Sequence, residues 1–288
     1  MTQAAVEPGL NLTNLGRFVR VSHTLFSLPL VVAGLWIGAG GWPTARVFAC
    51  GLLAAVGART AAMALNRIID RKIDAQNART ASRELPRGAL SLAQAWGVAL
   101  VGGLLYFLGA GLLGRVTLAL APIPLAVFAL YPFLKRFTRF CHFGVGIALG
   151  LAPLGGWLAV RQSFDGWLSV LPLGLFGVAW VAGFDIIYAT LDEEFDRRAG
   201  IHSMPAALGR TGALRASALL HLLAFAALVQ LVIVQQWSRW TLVPLVLCGL
   251  LLLLEQRCAE NVDLAFFRIN LVIGFAVAAM VAIGVFLR

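Results

Sequence analysis

Residues 52–74 read LLAAVGARTAAMALNRIIDRKID, an apolar run holding one arginine and ending in a polar, doubly acidic turn. The run is long enough to cross most of a bilayer as a helix. Carboxylates are costly near a membrane and are rarely placed there without a partner or a task. At about 100° per residue, Asn66, Asp70 and Asp74 drift by only about 40° at each step and share one helix face. Arg59, seven residues earlier, falls within about 20° of the same line. An arginine near a helix end can snorkel to the interface. Two turns inside an apolar helix, and aligned with the acids, it is expected to face a polar cavity instead.

The rest of the chain supports a membrane setting. Its 288 residues are 60% hydrophobic and 12% charged, with a mean hydropathy of +0.86. Soluble domains carry about 25% charged residues, so a water-soluble globule is excluded. Apolar periodicity predicts an all-α bundle of nine spans, near 22–39, 47–68, 91–109, 116–134, 142–160, 167–189, 212–235, 240–256 and 268–287. The chain reads as one domain, 1–288, opened by a polar cytosolic segment over 1–21. Breakers at Gly40-Gly41-Trp42-Pro43, Pro86-Arg87-Gly88 and Gly209-Arg210-Thr211-Gly212 fall between spans. Seventeen of the 23 Lys and Arg residues lie in one set of alternate loops and five in the other, with Arg59 inside a span. That asymmetry predicts a cytoplasmic N-terminus and places both acidic clusters on the cytoplasmic side of an inner or plasma membrane. The same rule accounts for the net charge of +10 without nucleic acid. Cys50, Cys141, Cys248 and Cys258 show no paired spacing and read as ordinary helix residues.

A second acidic set closes the sixth span. Asp185, Asp192 and Asp196 lie at offsets of 0, 7 and 11, again within about 20° of one line, with Tyr188 about 60° aside. A solvated end explains Glu193 and Glu194 but not Asp185, which is preceded by Val178-Ala179-Trp180-Val181-Ala182-Gly183-Phe184. Two such sets suit Mg²⁺, which takes oxygen ligands, keeps several waters and is usually shared with substrate phosphates. Asn66 can add an uncharged oxygen. Arg59, Arg79, Arg83, Lys135 and Arg136 are candidates to neutralise phosphate oxygens, arginine in bidentate fashion. His202 follows the second acidic set by six residues and is the histidine of most interest.

On these residues the chain resembles the UbiA superfamily of intramembrane aromatic prenyltransferases. The resemblance rests on Asn66-x-x-x-Asp70-x-x-x-Asp74 with Arg79-Thr80 and Arg83-x-Leu85-Pro86-x-Gly88. It rests also on Tyr131-Pro132-x-x-Lys135-Arg136 and on Asp185-x-x-Tyr188-x-x-x-Asp192-x-x-x-Asp196. It implies a bundle around a central cavity open sideways to lipid, and a polyprenyl diphosphate bound through two Mg²⁺ ions. Asn66, Asp70 and Asp74 would serve one metal cluster, Asp192 and Asp196 the other. Asp185 would lie near the reacting carbon or acceptor, Tyr131, Tyr188 and His202 beside it, and Arg59 and Lys135 at the diphosphate. Arg67 stands where many relatives carry Asp, and His202 where many carry Lys. Both variants resemble the branch grouped with 4-hydroxybenzoate polyprenyltransferases and with the prenyltransferase of the futalosine menaquinone route.

The expected reaction is therefore Mg²⁺-dependent electrophilic substitution on a small aromatic acid in ubiquinone or menaquinone biosynthesis. The acceptor is 4-hydroxybenzoate, or alternatively a naphthoate. Asp70, Asp185 and Asp192 are the expected catalytic residues. An ion-coupled transporter is the alternative of a different class, since its intramembrane acids would bind cations or protons.

Overall fold

The computed structural model describes residues 12–261 and 268–287, and all regular structure among them is helical. The part of the polar opening segment before residue 12 lies outside the described residues. The helices are α1 (Leu12–Phe18), α2 (Val21–Ala39), α3 (Ala45–Gln76), α4 (Leu92–Leu113), α5 (Arg115–Leu120) and α6 (Pro122–Leu134). They continue with α7 (Cys141–Arg161), α8 (Leu171–Ala189), α9 (Glu193–Ala199), α10 (Met204–Val234), α11 (Leu242–Arg257) and α12 (Asn270–Phe286). Among the described residues seven helical stretches are long and apolar enough to cross a membrane. Two shorter apolar helices, Ser27–Ala39 and Asn270–Phe286, occupy the first and ninth expected positions.

Three boundaries differ from expectation, each for a local reason. α3 runs eight residues past the expected end, to Gln76, so the acids continue the transmembrane helix rather than follow it. The expected loop at 209–212 is a kink inside α10, made by Gly209 at φ 69°, a left-handed conformation that glycine adopts without a Cβ penalty. Pro122 cannot donate to the preceding turn, and the fourth expected span accordingly divides into α5 and α6.

Two sub-assemblies share α2 and α7. In the first, α2, α7, α8, α10, α11 and α12 each pack on the next and close into a ring. Leu173, Phe176, Trp180, Leu228, Ile273 and Met280 fill its interior, all without accessible surface. A polar chain crosses this apolar core: Trp180 Nε1 donates to Asn270 Oδ1 (2.6 Å), and Asn270 Nδ2 donates to Glu255 Oε1 (2.8 Å). Glu255 and Asn270 are both fully buried. In the second, α3 packs closely on α4 and also against α6, which returns to α7. A Cβ on Gly57 would stand 2.4 Å from the Tyr106 backbone nitrogen, and one on Gly102 would stand 2.6 Å from that of Ala61. Small residues here let two backbones touch where lipid offers no hydrophobic drive. Between the two sub-assemblies lies a cavity of about 460 Å³, lined by residues from α2 through α9.

Candidate active site

The polar mouth of the cavity is built where α3, α6 and α8 end. Because α3 is unbroken, Asn66, Asp70 and Asp74 point to one side as the spacing requires, and Asp70 and Asp74 are buried. Asn66 Nδ2 donates to Asp70 Oδ2 (3.2 Å), and Lys135, at the end of α6, donates to the same oxygen from Nζ (2.6 Å). The loop after α3 folds back on it. Thr80 Oγ1 donates to the Asp74 carbonyl (2.9 Å), which brings Arg83 to Asp74 Oδ1 (2.7 Å).

α8 ends at Ala189, a single 3₁₀ turn covers Thr190–Asp192, and α9 follows to Gly200, whose φ of 67° closes it. Asp185, Asp192 and Asp196 therefore do not share one continuous helix, as the spacing implied, yet all three line the cavity. The two acidic sets are tied together across more than 110 positions of sequence. Asn77 Nδ2 donates to Asp192 Oδ1 (2.7 Å), and Arg79 Nε donates to that oxygen (2.8 Å) while its Nη2 pairs with Oδ2. Arg79 also bonds the Tyr188 hydroxyl and lies over the Tyr188 ring, 4.7 Å from its centroid. Burial alone would lower the pKa of Arg79; its bonds to Asp192 and Tyr188 outweigh that, so the guanidinium is held above its ordinary value.

Asp70, Asp74 and Asp192 are thus each matched by a cation. Asp70 Oδ1 and Asp74 Oδ2 nevertheless remain buried with no hydrogen-bond partner. Those hard oxygens fit Mg²⁺ chemically. Among the described residues no three His, Cys, Asp or Glu side chains stand close enough to cage an ion. The donor set consequently fits an ion whose shell is completed by substrate phosphates, the usual arrangement for Mg²⁺.

Deeper groups are less fully paired. Arg59 and Tyr131 line the cavity, and Arg59 Nε is buried without a hydrogen-bond partner. Arg67 also lines it, 4% exposed; Nε and Nη1 make no hydrogen bond, and Nη1 forms a long ion pair, 4.0 Å, with Asp74 Oδ2. Asp185 accepts a 2.7 Å hydrogen bond from His142. Beyond these the wall turns apolar, through Ala62, Phe128, Ala148 and Leu149 to Leu113 and Leu120.

Two expectations need correction. The His202 side chain is exposed and not part of the cavity wall. Its backbone does the work there: its N–H donates to the Lys135 carbonyl (2.8 Å), and its carbonyl accepts from Cys141 Sγ (3.3 Å). Arg136 also lies outside the lining; it donates to the carbonyls of Ile69 and Pro132 (3.0 Å each), braces α6 against α3, and keeps Nη2 3.7 Å from Asp70 Oδ1. Three residues escaped the sequence reading. Asn77 carried a signal, standing three positions past Asp74 at the start of a loop. His142 carried a topological one, since the fifth span begins on the side where the sixth ends. Arg67 was visible only as a departure from a motif.

The UbiA prenyltransferase family profile matches residues 27–271. A curated relative from Yersinia pseudotuberculosis, named 4-hydroxybenzoate octaprenyltransferase, is 31% identical over 230 residues, covering 77% of this chain and 79% of its own. A Paracidovorax citrulli protein of the same name is 31% identical over 194 residues; the match spans 67% of this chain but only 65% of that relative's length. Among solved structures, the apo form of a UbiA homologue from Aeropyrum pernix K1 superposes with a TM-score of 0.85 at 36% identity, covering 91% of this chain and 97% of that one.

Proposed function

Because the chain belongs to the UbiA prenyltransferase family, we propose that it moves a polyprenyl group from its diphosphate to a small phenolic acid, with 4-hydroxybenzoate the first candidate. The observation that carries this reading is the cavity itself. One end gathers carboxylates and cations from two distant segments, and the remainder is an apolar slot within the membrane. A transporter has no evident use for acids already matched one by one with Lys and Arg, and the family match favours the enzyme.

Bound Mg²⁺ would be held by Asn66, Asp70, Asp74, Asp192 and Asp196 and would supply Lewis-acid stabilisation of the leaving diphosphate. The chain's own cations do the rest. Arg79, Arg83 and Lys135 now sit on carboxylates and are close enough to exchange them for phosphate oxygens, Arg79 and Arg83 in bidentate geometry. Arg67, buried with two nitrogens that make no hydrogen bond, adds a fourth contact to the same headgroup. Arg59 lies seven residues before Asn66, about 10 Å along the helix axis. That depth suits the acceptor's carboxylate better than the diphosphate. The prenyl chain lies along the apolar wall, where each buried methylene contributes about 0.8 kcal/mol. Exclusion of water there protects the allylic cation until a ring carbon attacks it. The Lys and Arg asymmetry between loops orients the polar mouth to the cytoplasm.

The test uses the full chain in membranes with a long-chain prenyl diphosphate and Mg²⁺. The acceptors are 4-hydroxybenzoate, 1,4-dihydroxy-2-naphthoate and 1,4-dihydroxy-6-naphthoate. Prenylated hydroxybenzoate with stoichiometric pyrophosphate is the expected result. Product from a naphthoate alone would reassign the acceptor, and no product from any of them would overturn the reading.

A further inference from the structure

The geometry points to His142 as a positioning residue that holds the Asp185 carboxylate ready to take the proton released by the aromatic acceptor. The inference rests on the prenyl-transfer reading and extends it to a residue that none of the Asp-rich or basic motifs includes.

His142 lies in the first turn of α7 and is 3% exposed. Its Nδ1 is 2.7 Å from Asp185 Oδ2. On the other side of the ring, Nε2 receives the backbone N–H of Met204 at 3.3 Å. Met204 opens α10, so that N–H is one of the donors a helix start leaves without an internal partner. An imidazole nitrogen that accepts a hydrogen bond carries no proton. The proton of the neutral ring must then sit on Nδ1 and be donated to Asp185. The contact to α10 fixes the tautomer, and the tautomer fixes the carboxylate.

Asp185 meets the requirements for the receiving group. Its side chain lines the cavity and keeps 26% of its surface accessible, unlike the enclosed Asp70 and Asp74. Its Oδ2 is occupied by His142, and no Lys or Arg pairs with it among the described residues. It sits seven residues before Asp192, about two helical turns deeper than the diphosphate-binding mouth. The acceptor ring must lie at that depth if the allylic carbon is to reach it.

The step balances as follows. The allylic C–O bond breaks and its electron pair leaves with pyrophosphate. A ring carbon of the phenol donates a pair to the allylic carbon and forms the new C–C bond. The proton on that ring carbon passes to Asp185 Oδ1, which restores aromaticity. Asp185 later returns it to water at the mouth. His142 gives up no proton in this sequence; it keeps Oδ1 aimed at the ring.

The experiment compares wild type, His142→Ala and His142→Asn in membranes. Asparagine can place an N–H near the position of Nδ1, whereas alanine cannot. For His142→Ala, kcat should fall about 10- to 100-fold, as expected of a misplaced catalytic group. KM for the prenyl diphosphate should change less than about threefold, because the diphosphate contacts are untouched. His142→Asn should recover most of the lost kcat. An acceptor deuterated at the attacked carbon should show a larger kinetic isotope effect in His142→Ala than in wild type, as proton removal becomes rate-limiting. Unchanged kcat in His142→Ala would overturn the assignment, as would equal losses in the two variants. A wild type that prenylates no phenolic acid would instead sink the parent reading, which separates the two failures.

Discussion

At the residue scale, some cations of the cavity are fully hydrogen-bonded in the resting protein and others keep donors free of hydrogen bonds. Arg79 belongs to the first kind. It makes two parallel bonds to Asp192 and one to Tyr188, a geometry that the point charge of lysine cannot reproduce. Arg79→Lys should raise KM for the prenyl diphosphate about tenfold, the equivalent of ~1.4 kcal/mol, as read in steady-state kinetics. Arg67 belongs to the second kind. A buried guanidinium with two nitrogens that make no hydrogen bond, and only a 4.0 Å ion-pair contact to Asp74, weakens the substrate-free fold, so Arg67→Met should match or exceed wild type in thermal unfolding while its donor KM rises. Asp70→Ala and Asp192→Ala should each lose nearly all turnover yet remain inserted in the membrane, as radiolabelled product and fractionation would show. Either variant keeping its activity contradicts the proposed metal assignment.

At the element scale, much was legible because helix period and backbone chemistry are local. The four-residue spacing of Asn66, Asp70 and Asp74 places them on one face of α3, as counted from sequence alone. The same count misread Asp192 and Asp196, because no local residue announces the 3₁₀ turn at Thr190–Asp192. The pairs His142–Asp185 and Asn77–Asp192 were out of reach, since each depends on which helix ends meet. His202 was misjudged because its motif position reflects what its backbone bonds, not where its ring points. The α3–α4 contact offers a direct check. Even one methyl on Gly57 meets backbone at 2.4 Å, whereas one on Gly103 meets nothing within 4 Å. Gly57→Ala should cost about 1–3 kcal/mol, visible as a lower thermal midpoint in detergent, with Gly103→Ala unchanged.

At the scale of the whole molecule, a packed six-helix ring stands beside a cavity wall built from α3 to α6. The reaction space takes a wall from each: Asn66, Asp70 and Asp74 come from α3, and His142 and Asp185 from the ring helices α7 and α8. Chelation by EDTA should abolish turnover reversibly on adding Mg²⁺ and leave the unfolding temperature nearly unmoved, because Lys and Arg already balance Asp70, Asp74 and Asp192. The ring also carries a demand on biogenesis. Glu255 has no accessible surface, and the amide that satisfies one of its oxygens arrives fifteen residues later, on the following helix. Its other oxygen stands 3.8 Å from His221 Nε2 on the preceding helix, beyond hydrogen-bond reach, and a carboxyl with no hydrogen bond is a poor passenger into lipid. The last two helices should therefore enter the bilayer as a hairpin, and a ribosome stalled before Asn270 should leave the penultimate helix waiting at the insertion channel.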